Sequence, residues 1–480
     1  MVLTPAEMLD AERRAFDSGA TAESLMEEAA KHIAACVVQF HPRPGLCRVF
    51  AGKGHNGGDV LAAARHLAAM GWGIEVETVF PESEFAPLTA RQFGLLKKKQ
   101  PCPPRPLVVL DGLLGIGASG EPYGPVAAAI QRINELRRNE AAWVLAADLP
   151  SGLGSEICVM ADVTVTIGFA KTPLLDDAST DFVGRLALAP LAGLNAPAGA
   201  DTAEILVARE LRALLPPRRF DMHKGQCGRV AIVAGSLDHP GAARLCSAAA
   251  VKAGAGLVTL FVPEACVPIL SASCIPEVMV SAIQSAACLD GKKFDVLAIG
   301  PGLGMGRDEM VRELLSSFPG LCVADADALN AIAPDPSILE SCAGPRLLTP
   351  HPLEMERLFP RQGRTRREWL GAFTAAYPAC LLLKGARTLI GCGSQPPAYN
   401  TTGHPGMASG GMGDVLTGVA AALAAQGKTL PDSAKLSAWI CGRAAELALC
   451  DGACSQESLS ASDVLNFLGA AFGDLRAGVY

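Results

Sequence analysis

Charge is sparse in this 480-residue chain: Asp, Glu, Lys and Arg make up 19% of it, and aromatic residues 5%. Hydrophobic residues make up 50%, which excludes a disordered chain. There is no basic excess. With 41 Lys and Arg against 48 Asp and Glu the formal net charge is −7, which argues against nucleic acid as a partner. No apolar run approaches the ~18 residues a membrane span needs. The start, Met1-Val2-Leu3-Thr4-Pro5-Ala6-Glu7, lacks a basic segment followed by an apolar one, so a cytoplasmic protein without membrane contact is expected. The 16 cysteines contain no C-x-x-C pair and sit mostly in apolar runs, so reduced core cysteines are expected. A Walker A loop is missing too. Gly427-Lys428-Thr429 has its tail, but Ala422 stands where the first glycine belongs. H-E-x-x-H and G-x-S-x-G are absent, which removes support for zinc-protease and α/β-hydrolase chemistry.

What is present is alternation. At ~150 residues per domain the length suits two or three domains. Helical patterns at 5–16 and 22–39 follow Thr4 and Thr21 as N-caps. Strand patterns at 47–51, 74–80, 107–110, 143–147 and 163–167 then alternate with helical ones at 60–70 and 126–138. An Ala-, Pro- and Gly-rich stretch at 186–203 divides the chain into 1–203 and 204–480. Alternation restarts with strands at 230–234, 257–262, 296–300, 321–324, 347–349 and 380–384, and helices at 241–253 and 308–317. Three more helices begin near Asp414, Pro431 and Ser462. Each part reads as an α/β unit with a mostly parallel sheet covered on both faces.

In the first unit two loops match G-x-G-x-x-G: Gly52-Lys53-Gly54-His55-Asn56-Gly57, running on into Gly58-Asp59, and Gly115-Ile116-Gly117-Ala118-Ser119-Gly120. Glycines let a phosphate approach the backbone, and a helix N-terminus offers free N–H groups and a positive dipole. Asp59 is placed to cap the following helix. Glu75 and Glu77 fall where a dinucleotide fingerprint wants its acidic residue, so a Rossmann dehydrogenase is one reading. Asp148, opening Asp148-Leu149-Pro150-Ser151-Gly152 after a strand, can move a proton or bind a hydroxyl. Asn56, Asp111 and Ser151 bring three oxygen side chains from three strand ends, a set that suits a hard cation.

In the second unit Gly410-Gly411-Met412-Gly413-Asp414 precedes a helical run. Its N–H groups form an anion hole for a transferring phosphoryl group, with Asp414 placed to take a proton from an attacking hydroxyl. Gly300 to Gly304, His351 within Thr349-Pro350-His351-Pro352-Leu353-Glu354, and Lys384-Gly385-Ala386-Arg387-Thr388 all follow strands. They would surround the same crevice.

Jointly these strings, with His223-Lys224-Gly225 and Pro240-Gly241-Ala242, resemble the NAD(P)HX repair family over nearly the whole chain. The first unit resembles the epimerase module, a Rossmann-like three-layer α/β/α domain. The second resembles the dehydratase, a ribokinase-like α/β/α domain. The resemblance implies interconversion of R and S hydrates of NADH and NADPH, then ATP- or ADP-dependent loss of water from the S form. It implies hydrate binding by His55, Asn56, Gly57, Gly58, Asp59, Gly115, Ile116, Gly117, Ala118, Ser119, Gly120 and Glu121, with Asp148 at the reacting end. It implies K⁺ on Asn56, Asp111 and Ser151. In the second unit it implies hydrate contacts from Ala242, Gly302, His351 and Asp414. Nucleotide contacts would come from Lys384, Gly385, Ala386, Arg387, Thr388 and Gly413, working with Mg²⁺. Three positions depart from the family pattern: His55 replaces an asparagine, Val60 a glycine and Met412 a threonine. Taken without the resemblance, a ribokinase-like small-alcohol kinase with a non-catalytic N-terminal binding module fits the same loops. A homo-oligomer is compatible with the apolar helices.

Overall fold

The computed structural model describes residues 1–96, 102–289, 293–452 and 454–479. The chain forms two compact units, Met1–Ile205 and Leu206–Val479.

The first unit is built on a six-stranded parallel sheet. Its order is Gly73–Thr78, Leu46–Ala51, Leu107–Gly112, Trp143–Ala147, Val163–Ile167, Arg185–Ala189. Alternation puts Val108 and Leu110 in one core with the helices Ala22–Phe40 and His55–Ala69. Leu107 and Val109 pack on the other face with the helix Gly124–Glu140. Thr4 and Thr21 cap the first two long helices as expected, each accepting from the N3 backbone N–H. Chain order reverses between Leu46–Ala51 and Leu107–Gly112. That switch point opens a crevice at the strand C-termini, into which both glycine loops project.

The second unit carries a ten-stranded sheet. Seven parallel strands run in the order Val278–Ala282, Leu257–Val262, Arg229–Val233, Val296–Ile299, Leu321–Ala324, Arg346–Leu348, Cys380–Leu383. Leu389–Cys392 and Ala398–Asn400 extend it antiparallel, and Glu204–Leu206 ends it. Here the order reverses between Arg229–Val233 and Val296–Ile299. The helix Met412–Ala425 is buried from Val415 to its end, so its N-terminus is fixed by a full apolar sleeve. Among the described residues no helix is long and apolar enough to cross a membrane.

Several expectations are corrected. The stretch after Gly184 does not begin as a linker: Arg185–Ala189 is a largely buried edge strand, parallel to Val163–Ile167, and Pro190 follows it. Asp59 does not cap a helix. The helix starts at His55 behind Gly54, which leaves Asp59 one turn inside. Not every cysteine is free: Cys380 and Cys392 face each other on antiparallel strands and form a disulfide. Glu75 lies within its strand, paired with Arg48 at 2.9 Å, and Glu77 is exposed in the same strand, so neither carboxylate stands at a strand end for a ribose.

Candidate active sites in the two units

In the first unit a cavity of about 440 Å³ opens at the switch point. Of the predicted residues, His55, Asn56, Gly57, Asp59, Gly115, Ile116, Gly117, Ala118 and Asp148 line it. Gly58, Ser119, Gly120 and Glu121 are not among the lining residues. Gly58 is buried against Met26 and Thr89, and Glu121 accepts a hydrogen bond from the Glu156 N–H at 3.2 Å. Gly52 must be glycine, because a Cβ there would collide with the Leu113 carbonyl.

Asn56 turns inward. Its Nδ2 donates to the Leu114 carbonyl at 2.6 Å and to the Ala147 carbonyl at 3.2 Å, while Oδ1 is buried with no donor. Asp111 is fully buried. It accepts from Ser151 Oγ at 2.6 Å, the Ser151 N–H at 2.8 Å and the Leu113 N–H at 3.2 Å. Ser151 Oγ in turn accepts from the Leu114 N–H at 2.9 Å, so all three predicted cation ligands are linked through the backbone of Leu114. Burial still pushes the Asp111 carboxyl up to about 6, against those lowering hydrogen bonds.

Asp148 sits at φ +66° and is nearly buried. Its Oδ1 accepts from the Ile167 N–H at 3.1 Å and from Lys171 Nζ. Lys171 is wholly buried and also donates to Thr166 Oγ1 at 3.2 Å. Glu12 completes the group. Burial first, then the charges of Asp148 and Glu12, hold Asp59 well above the carboxylate range, and burial raises Glu12 as well. Lys171 and Glu12 carry no motif. Only their charge within apolar neighbourhoods marks them.

In the second unit the predicted loops converge at the C-terminal strand ends. Gly302 lies at φ +62°, and a Cβ on it would stand 2.8 Å from the Ala242 Cβ, so these two predicted hydrate contacts touch. His351 caps the helix Pro352–Leu358. Its Nδ1 accepts from the Leu353 and Glu354 N–H groups at 3.1 and 3.2 Å, and its Nε2 stands 3.4 Å from Glu354 Oε1. Lys384, Gly385, Ala386, Arg387 and Thr388 form the turn between Cys380–Leu383 and Leu389–Cys392. Arg366, unmarked by sequence, braces that turn by donating to the Ala386 carbonyl at 2.9 Å.

Gly411, at φ +89°, caps the helix that carries Asp414 in its first turn. Beneath it, Lys384 Nζ donates to Asp325 Oδ1 at 2.8 Å and stands 3.7 Å from Glu354 Oε2. Burial, then the Asp325 charge, pushes the Asp414 carboxyl up to about 6, with Lys384 and His239 opposing. An aspartate so tuned is ionised at neutral pH yet basic enough to accept a proton.

Residues 230–466 match the family described as NAD(P)H-hydrate dehydratase, and residues 22–173 match the YjeF-related protein N-terminus. A bifunctional NAD(P)H-hydrate repair enzyme from Moorella thermoacetica is 37% identical over 465 residues, covering 88% of this chain and 86% of that protein. The chain belongs to the bifunctional NAD(P)H-hydrate repair family. The family's Escherichia coli member is 32% identical over 461 residues, covering 91% of this chain and 87% of that one. A solved structure of the ADP/ATP-dependent NAD(P)H-hydrate dehydratase from Bacillus subtilis, co-crystallised with ATP and Mg²⁺, aligns with TM-score 0.51 and 26% identity. It covers 57% of this repair-family chain and 100% of its own.

Proposed function

We propose that the chain repairs hydrated NADH and NADPH, with one reaction in each half, 1–203 and 204–480. In the second half, ATP or ADP phosphorylates the hydroxyl of the S hydrate. The observation that carries this is Asp414, a carboxyl raised to about 6 in the first turn of a buried helix behind a glycine loop. The hydrate oxygen bonds to the terminal phosphorus, the nucleotide P–O bond breaks, and the proton passes to Asp414. Backbone N–H groups of Gly411, Met412 and Gly413 face the phosphoryl oxygens. Phosphate then leaves with help from the ring nitrogen, and loss of a ring proton restores the reduced nicotinamide. Ala242, Gly302 and His351 hold the hydrate. Gly413 and the turn Lys384, Gly385, Ala386, Arg387 and Thr388 hold the nucleotide, whose phosphates bring Mg²⁺.

In the first half, the crevice lined by His55, Asn56, Gly57, Asp59 and the 115–118 loop holds either hydrate, with Asp148 at its hydroxyl. Asn56, Asp111 and Ser151 would hold K⁺. The buried Asn56 Oδ1 has no donor, and among the described residues Asp111 has no basic partner, so the donor set fits a cation. Bound there, K⁺ would offset the Asp111 charge and stiffen the loop at Leu114.

The test is recovery of reduced-nicotinamide absorbance from mixed R and S hydrates with Mg²⁺, K⁺ and either nucleotide. Complete recovery, with a second phase slowed by Asp148→Ala, supports both activities. Recovery of the S fraction alone would leave the first half a binding module. No recovery with either nucleotide would sink the repair reading.

A further inference from the structure

Asp325 follows the strand Leu321–Ala324, outside every glycine loop and 59 positions from its main partner. It is almost wholly buried. Each of its oxygens has a partner: Oδ1 accepts from Lys384 Nζ at 2.8 Å, and Oδ2 accepts from Thr417 Oγ1 at 3.0 Å. Thr417 lies one turn after Asp414 on the same helix. A Cβ on Gly413 would stand 3.2 Å from Asp325 Oδ2 and 3.2 Å from Lys384 Nζ, so the ion pair lies directly under the glycine loop. Lys384 also reaches Glu354, whose Oε2 accepts from the His351 N–H at 2.8 Å. One carboxylate thus joins the helix of Asp414, the nucleotide turn and, through Lys384 and Glu354, the His351 cap.

We propose that Asp325 is a positioning residue for the dehydration reaction: it anchors Lys384 and the helix at Thr417, and lays a buried carboxylate under the turn that carries Asp414. The proposal rests on Asp414 acting as the base. The buried, shared carboxylate is an expensive arrangement for stability alone, since an ion pair under an apolar helix is readily replaced by packed hydrophobic groups. The charged and titratable groups facing Asp414 come from several elements. They are Asp325, Lys384 with its second partner Glu354, His239 before the helix Pro240–Lys252, and the Cys246 thiol on that helix. Asp325 is the carboxylate among them that raises Asp414, while Lys384 and His239 lower it.

The sign follows. Removing the Asp325 charge makes Asp414 a weaker base, and the released Lys384 acts in the same direction. With Mg²⁺, nucleotide and S hydrate, Asp325→Asn is expected to lower kcat by about a hundredfold, the scale of a misplaced reacting group. The acid limb of its pH profile moves to lower pH. Thr417→Val keeps the charge but removes one anchor. It is expected to lower kcat about tenfold with the limb unmoved and both KM values within about twofold. A slow Asp325→Asn with an unmoved limb would make Asp325 merely structural and overturn the proposal, as would wild-type kcat in either variant. Should Asp325→Asn not fold, Thr417→Val decides through its kcat and KM values: a wild-type kcat, or KM values raised well beyond about twofold, overturns the proposal. Asp414→Asn, run alongside, separates the two readings: if it keeps full turnover, the base assignment itself falls.

Discussion

Lys171 Nζ donates to Asp148 Oδ1 although both side chains are buried, at 1% and 10% exposure. The pair lies where two further carboxyls, Glu12 and Asp59, face the same cavity. Removing the cation would leave three acids without their counter-charge. Lys171→Met is therefore expected to abolish interconversion of the hydrates and to destabilise the unit by about 3–5 kcal/mol. Adding Asp148→Asn should recover much of that stability and none of the activity. Denaturant unfolding of the two single variants and the double variant measures this. Additive losses would show that the pair is not coupled.

K⁺ should stabilise the first unit. At ten to a hundred times its dissociation constant a ligand adds about 1–3 kcal/mol, or roughly 2–12 °C for a unit of this size. Thermal unfolding in K⁺ is compared with the same concentration of a bulky quaternary ammonium salt. Ser151→Ala, which removes one oxygen and one hydrogen bond to Asp111, should erase the difference. Equal melting in both salts for the wild type would remove the cation from this site.

The glycine loops, the strand ends and the order of the two units were legible because each is written in a short string. The cap residues Thr4 and Thr21 were legible for the same reason. Lys171 and Asp325 were not. Each meets its partner 23 or 59 positions away, and nothing local distinguishes either from an ordinary charge at a strand end. The strand Arg185–Ala189 was hidden by composition. Its alanines match a linker, and only the parallel pairing with Val163–Ile167 makes them interior. Asp59 was misplaced by one turn, because Gly54 takes the N-cap position and a glycine gives a weaker signal than an aspartate.

Gly302 tests the hydrate pocket of the second unit. Its backbone is left-handed, at φ +62°, and a Cβ would stand 2.8 Å from Ala242 Cβ and 2.9 Å from His239 Cβ. Gly302→Ala must shift the 239–242 segment or its own loop, at a cost of about 1–3 kcal/mol. Steady-state kinetics should show a raised KM for the S hydrate, about tenfold or more, with the nucleotide KM unchanged. A raised nucleotide KM instead would put the nucleotide, not the hydrate, against this contact.

Asp414 makes activity and stability pull in opposite directions. Its carboxyl titrates near 6 in the folded chain, chiefly because it is buried and faces Asp325, against about 3.9 for an unfolded aspartate. Between those values the folded state holds a proton that the unfolded state has released. Stability therefore falls as pH rises through this window and stays reduced above it. The ionised form is also the one that accepts a proton, so dehydration should fade as pH drops through about 6. Asp414→Asn cannot ionise. It is expected to lose dehydration by about a hundredfold or more and still bind nucleotide. At pH 7.5 it should be more stable than the wild type by about 1–3 kcal/mol, and about half as much at pH 5. Denaturant unfolding at the two pH values reads that difference. A variant no more stable than the wild type at pH 7.5 would mean that Asp414 is not held under this electrostatic load, and the acid limb of the activity profile would then belong to another group.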